Sequence, residues 1–373
     1  MKKQKFYSLK GIDKRNSTYN MIFGERSNGK TYAVLTQALK NFAKNKSTFA
    51  YVRRWHEDVI GRRAQNVFSA LNSDGSVESI TGYQGVYYIS GKFYLCMYDE
   101  KSGKPVYNEN DLLGYTFALS ENEHNKSNSY PKVTLIMFDE FLTNKLYLQD
   151  EFVLFMNTIS TIVRRRTDVK IYMLGNTVNR YCPYFAEMGL DHIKKMNQGD
   201  IDVYTYGKSN LKVAVEYCTS LKKNKENNFY FAFNNPKLNM ITSGSWELDI
   251  YPHLPHKFKN SQVMFTFFIE FNDMLFQCEI VDAENEMFIF IHDKTSPLKD
   301  TDNDLIYSLD YNPKLNYNRN ILKPQNSIQK KITWFFQSDR VFFQDNKTGD
   351  TIHNYLKLCK GVWKWTYTLF RKC

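Results

Sequence analysis

A chain of 373 residues, 42% hydrophobic and 24% charged, is long enough for two domains and can bury a sizeable core. Its 50 Lys and Arg against 39 Asp and Glu leave a formal net charge of +11, a bias toward polyanions such as nucleic acid. Six widely spaced cysteines without a C-x-x-C pair argue against a zinc knuckle or a disulfide framework and fit a reducing cytoplasm. No signal-like apolar segment and no run of about eighteen apolar residues is present, so a soluble, unexported protein is expected.

In chain order, the apolar runs YNMIF (19 to 23), STFAYV (47 to 52), VTLIMF (133 to 138) and VKIYML (169 to 174) alternate with helical stretches. That pattern predicts a mainly parallel sheet covered on both faces. Between the second and third runs, residues 75 to 120 carry Gly75, Gly82, Gly85, Gly91 and Gly103 among short β-like pieces, which predicts a hairpin excursion. SLKKNKENN (220 to 228) is linker-like, and the turn-rich stretch after it leads to a second domain beginning near Ser261. There QVMFTFFIEF, MLFQCEIVD and EMFIFIHD follow with short gaps, as an antiparallel meander would. Helices are expected around 303 to 310 and 348 to 358, and residues 351 to 373 hold basic but no acidic side chains. That tail is either a polyanion contact or a solvated terminus.

The first run leads directly into Gly24-Glu25-Arg26-Ser27-Asn28-Gly29-Lys30-Thr31, a G-x-x-x-x-G-K-[ST] loop. Its glycines let the backbone turn and aim N–H groups at phosphate oxygens, and the helix beginning near Gly29 adds its positive end. Lys30 then neutralises the β- and γ-phosphates of ATP and Thr31 ligates Mg²⁺. Arg26 either adds charge near the γ-phosphate or points to solvent. A loop of this kind needs a metal carboxylate on a neighbouring strand, and LIMFDE (135 to 140) supplies Asp139 where the strand emerges. The adjacent Glu140 is placed to act as base on an attacking water, as in hydrolysing motors. The extra strand STFAYVRR between the two motifs belongs to P-loop ATPases that work as rings. Such rings need an arginine from the neighbour, and Arg164, Arg165 and Arg166 precede a strand ending at Gly175-Asn176. Arg164 is a candidate finger, a DNA phosphate contact or a plain surface charge, and Asn176 a candidate γ-phosphate sensor. Arg53 and Arg54 serve either the nucleotide or DNA.

The pieces FGERSNGKT, FAYVRR, KSNSYP (126 to 131), TLIMFDEFL and the arginine cluster leading to MLGN, in this order and spacing, resemble the DNA-packaging ATPases (DNA encapsidation proteins) of small phi29-type tailed phages, relatives of the large terminases. The resemblance is strong over the first 200 residues or so and weaker beyond. It implies an α/β, RecA-like (ASCE) P-loop ATPase domain with a parallel-rich sheet over 1–205 and a short linker domain over 206–258. Over 259–373 it implies an α+β RNase H-like domain, a vestigial nuclease that binds nucleic acid or the portal. It further implies a homomeric ring of five subunits in the host cytoplasm, transiently at the portal vertex of a procapsid, which hydrolyses ATP with Mg²⁺ and drives double-stranded DNA inward. The portal protein is then a partner, and a structural packaging RNA is left open as another. Carried over by position, Lys30 and Thr31 hold phosphates and Mg²⁺, Asp139 is the Walker B acid, Glu140 the base, Arg164 the trans finger, and Asn176 part of the coupling motif. Glu270, Glu279, Asp282 and Asp293 in the meander form no Asp-rich cluster and the Asp300-Asp302-Asp304 run sits in a loop-like stretch, so an inactive nuclease fold is expected. A helicase or partition-type DNA-dependent ATPase shares the same motifs and is the main alternative. A scaffold that switches without turnover would not need Glu140, and a small-molecule kinase would need an acceptor pocket and lid.

Overall fold

Successive residues of a strand face opposite sides of a sheet, so a strand that is apolar throughout must be covered twice. Strand β1 (Tyr19–Gly24) obeys this: Met21 and Phe23 enter one hydrophobic core and Ile22 the other. In the same way β7 (Val133–Asp139) sends Ile136 and Phe138 one way, Leu135 and Met137 the other. The computed structural model describes residues 6–359 except 122–128, 144–146, 149, 178–181, 220–250, 255–257, 259, 273, 285, 299 and 301. The first half of the KSNSYP piece (126 to 128) and the basic tail beyond 359 therefore lie outside the described residues. The chain divides into two units, Met1–Glu247 and Leu248–Cys373.

In the first unit, β2 (Thr48–Arg53), β6 (Leu112–Ala118), β7, β8 (Lys170–Asn176), β1 and β10 (Leu211–Tyr217) are neighbours in the order β6-β2-β7-β8-β1-β10, all parallel. The expected excursion is the antiparallel pair β3 (Gly85–Ile89) and β4 (Lys92–Tyr98), with β4 also paired to β5 (Pro105–Val106) and to β6. Residues before it are helical: α3 (Gly61–Gln65), α4 (Ser69–Ser73) and α5 (Ser76–Thr81). At the other edge β9 (Ile201–Tyr206) pairs antiparallel with β10. The sheet thus continues to Tyr217, the border expected at 205 falls within its last hairpin, and most of the expected linker lies outside the described residues.

One face is covered by α1 (Lys10–Asp13) and α2 (Lys30–Asn45), whose Val34, Leu35, Ala38, Leu39 and Phe42 repeat at helical spacing and are buried. On the other face lie α6 (Glu151–Val163), with Phe155, Ile159 and Ile162, and α7 (Pro183–Glu187), with Tyr184 and Phe185.

The second unit is the expected meander, β11 (Ser261–Phe271), β12 (Met274–Ala283) and β13 (Glu286–Asp293), turning at Asn272 and Glu284 with left-handed backbone. The segment expected as a helix around 303 to 310 is instead strand β14 (Ile306–Ser308), parallel to β11. Its three residues are buried, so sheet pairing beside β11 overrides their local preference. Strand β15 (Tyr317–Asn318) pairs with β14 and β16 (Val341–Phe343) with β13, both parallel, giving the order β15-β14-β11-β12-β13-β16. Helices α8 (Ser327–Gln337) and α9 (Asn346–Leu358, as expected) bury Ile332, Phe335, Phe336, Ile352 and Tyr355 against one face. Among the described residues, no helix is long and apolar enough to cross a membrane.

Candidate active site

Parallel strands place their carboxyl ends at one edge, and three of them converge there: β1 through Gly24, β7 through Asp139 and β8 through Asn176. Gly24 has φ +154° and Gly29 φ +94°, backbone that L side chains rarely adopt, and a Cβ on Gly24 would come within 2.9 Å of Cys218 Cβ. Both glycines are therefore demanded by the loop. The chain upstream straps it, Tyr7 N–H donating to the Asn28 carbonyl at 2.9 Å while Phe6 packs on Gly29. Helix α2 opens at Lys30, whose N–H donates to Asn28 Oδ1 at 3.3 Å, so its first turn of N–H groups faces the cradle.

Lys30 is buried and curls back over the loop, its Nζ donating to the Glu25 carbonyl at 2.6 Å and to Asn28 Oδ1 at 3.2 Å. Burial pulls the ammonium below the ordinary lysine value, against Asp139 and Glu25, which favour its charge. Thr31 Oγ1 donates to Asp139 Oδ1 at 3.3 Å, so the two residues expected at Mg²⁺ meet at one point. Burial pushes the Asp139 carboxyl above the usual carboxylate range. The charge of Glu140 adds to this, while Arg53 and the Thr31 hydroxyl oppose it. A largely buried carboxylate beside a hydroxyl and below a row of helix N–H groups fits a divalent cation with phosphates.

Glu140 has φ +59° and is 57% exposed, and its Oε2 accepts from Arg53 Nη2 at 2.7 Å. The same guanidinium lies 3.7 Å from Asp139 and 3.5 Å from Asp58. Arg53 thus faces the acids of the site. Arg54 faces the interior instead, donating to Glu151 through Nε at 2.7 Å and Nη2 at 2.9 Å, and to the carbonyls of Glu140 and Phe141 at 3.2 and 2.8 Å. Glu151 also accepts from Tyr184 Oη at 2.9 Å and Leu148 N–H at 2.8 Å. This network fixes the turn that carries Glu140. The reading of the sequence left both arginines open; period-2 alternation along AYVRR is the signal that would have separated them.

Ser27, Asn28, Gly29, Lys30, Thr31, Asp139, Glu140 and Asn176 line one cavity of 340 Å³, so most of the expected site comes together. Gly24 and Glu25 shape the loop behind it, and Arg26 is exposed. Arg164 is not brought to this cavity. It lies with Arg165 at the amino end of β8, both exposed, with φ +41° and +44°. Arg166 is a brace, its Nη2 donating to the carbonyls of Val133, Tyr130 and Ile162 at 2.8, 3.2 and 3.3 Å.

In the second unit, Glu279 accepts from Gln277 Nε2 at 2.6 Å and lies 3.6 Å from His292, while Asp293 accepts from Thr348 Oγ1 at 3.2 Å. Glu270 and Asp282 are exposed, and Asp300 accepts the N–H groups of Asp302 and Asn303 in an exposed loop. Among the described residues, no three His, Cys, Asp or Glu side chains stand close enough to hold a metal ion.

The DNA packaging proteins of Bacillus phages PZA and phi29 are each 28% identical to this chain over 205 residues, 54% of the chain and 55% of theirs. The chain thus spans about half the length of the curated relatives it matches. Two solved structures share its fold: the phi-29 viral genome packaging motor assembly and the phi-28 gp11 DNA packaging motor. The first has a TM-score of 0.56 at 21% identity, covering 94% of this chain and 96% of that one. The second has 0.53 at 19%, covering 96% and 100%. The family model for the podovirus DNA encapsidation protein (Gp16) matches residues 1–299, a stretch that holds the whole cradle, and the chain belongs to that family.

Proposed function

We propose that this chain is the ATP-hydrolysing subunit of a homomeric, five-membered ring that drives double-stranded DNA through the portal of a phage procapsid in the host cytoplasm. Family membership supports the packaging role, and the observation that carries the enzymatic reading is the contact of Thr31 with Asp139 beside Glu140. A Mg²⁺ held by Thr31 and Asp139 would supply positive charge to stabilise the terminal phosphoryl group during its transfer. Lys30 exchanges its two neutral acceptors, the Glu25 carbonyl and Asn28 Oδ1, for phosphate oxygens. Thr31 and Asp139 hold the metal side, and Gly24 to Gly29 supply backbone donors.

Glu140 takes the proton of an attacking water, for which Arg53 must let it go. Glu140 is solvent-exposed, and Arg53 keeps Asp139 at 3.7 Å and Asp58 at 3.5 Å when it lets go, so release strands no charge. Asn176, at the β8 end, lines the cradle and is placed to report its occupancy to the sheet. Strand β8 has 7 residues, which at about 3.3 Å each puts Arg164 roughly 20 Å from its own cradle. That distance, and two successive left-handed residues held at 164 and 165, support a role in the neighbouring subunit's site.

For the second unit, three antiparallel strands continued by parallel β14 and β15 on the β11 side support an RNase H-like reading. Its scattered, internally paired acids support binding to nucleic acid, to the portal or to a packaging RNA rather than cleavage. The ATPase domain is then 1 to 217, through β10, with the linker domain after it up to 258 and the RNase H-like domain over 259–373.

Mixing tests the shared site. Arg164→Ala and Lys30→Ala proteins, each inactive alone, regain ATP hydrolysis when combined, because one supplies the cradle and the other the finger. Normal hydrolysis by Arg164→Ala alone would remove the trans assignment.

A further inference from the structure

The lining of the 340 Å³ cavity has two characters. Lys30, Asp139, Glu140 and Asn176 are its charged and polar part. Val67, Ala70 and Leu71, on and just before α4, are its apolar part, with Leu35 and Tyr32 of α2. Leu35 and Leu71 are each 1% exposed and fixed in the core, so this wall is rigid from behind. The Tyr32 hydroxyl donates to Asp74 Oδ2 at 2.8 Å and lies 2.7 Å from Ser76 Oγ, which pins its ring between α2 and the turn before α5.

Tyr32 directly follows Thr31. A ligand whose terminal phosphates sit at Lys30 and Thr31 therefore leads its remaining atoms along the first turn of α2, toward this wall. A nucleotide is charged at one end and carries a flat, largely apolar-faced ring at the other, the same two characters that the cavity lining combines. Resting on the nucleotide reading above, we propose that Val67, Ala70 and Leu71, with Tyr32 and Leu35, form the slot for the nucleobase. Four of the five are aliphatic and the Tyr32 hydroxyl is committed to Asp74 and Ser76, so the wall contributes by excluding water from the base faces.

Ala70 is exposed, so a larger side chain there occupies the slot without entering the core. The test is calorimetric binding of ATPγS and of inorganic tripolyphosphate, both with Mg²⁺, to the full chain. Ala70→Trp is expected to weaken ATPγS by about tenfold or more while tripolyphosphate, which has no base, stays within about twofold. Val67→Ser gives the same pattern with about a threefold loss. Equal losses for both ligands, or no loss for ATPγS in either variant, overturn the slot. So does a selective loss in Phe6→Ala that Ala70→Trp fails to reproduce, because Phe6 packs on Gly29 outside the cavity lining. Wild-type protein that binds neither ligand overturns the nucleotide reading itself.

Discussion

The two units spend their acidic residues differently. In the first, Asp139 and Glu140 close a strand whose neighbours are all parallel, so every strand end delivers its residues to one edge and the acids meet Lys30, Thr31 and Arg53 there. In the second, Glu270, Glu279, Asp282 and Asp293 lie on antiparallel strands, where successive ends point in opposite directions and alternate residues face opposite sides. Convergence is a property of strand direction before it is one of residue type. A carboxylate that emerges among parallel neighbours becomes part of a site, whereas one on a meander finds a local partner such as Gln277 or Thr348.

The largest effect that tests this contrast is on turnover. Lys30→Ala should lower the rate of ATP hydrolysis by at least about a hundredfold, since it removes a positioned charge at the phosphates. The paired change Glu279→Gln with Asp293→Asn should leave the rate within about twofold; a comparable loss there would make the second unit part of the hydrolytic site. Next is stability of the first unit. Arg54→Ala leaves the buried Glu151 without its cation, and breaking such a pair costs about 3–5 kcal/mol, read as a lowered urea midpoint. Gly349→Ala probes the second unit alone. Alanine is favoured in a helix by about 1 kcal/mol, but its Cβ would fall 2.4 Å from Tyr251 Cγ. The clash wins, with a net loss of about 1–3 kcal/mol and ATP hydrolysis unchanged.

Legibility in the sequence followed the range of the interaction. The glycines and lysine of the loop satisfy a demand local to eight residues, so spacing alone revealed them, and Asp139 with Glu140 followed from an apolar run that ends in acids. Arg54 depends on Glu151, 97 residues away, and no local pattern names that partner. Arg166 looks like Arg164 in sequence, and only its reach to the Val133 carbonyl separates a brace from a candidate finger. Strand β14 escaped because three buried residues between polar loops carry too little periodicity to outvote a helical reading. The apolar wall at Val67, Ala70 and Leu71 was equally invisible, since it exists only once α4 packs beside α2.

The role of Glu140 as the base of an ATPase is decided by hydrolysis in purified wild type and Glu140→Gln, with and without double-stranded DNA. DNA-stimulated hydrolysis is expected in the wild type and its loss in Glu140→Gln, with ATPγS binding retained. Unaltered hydrolysis in Glu140→Gln would contradict it.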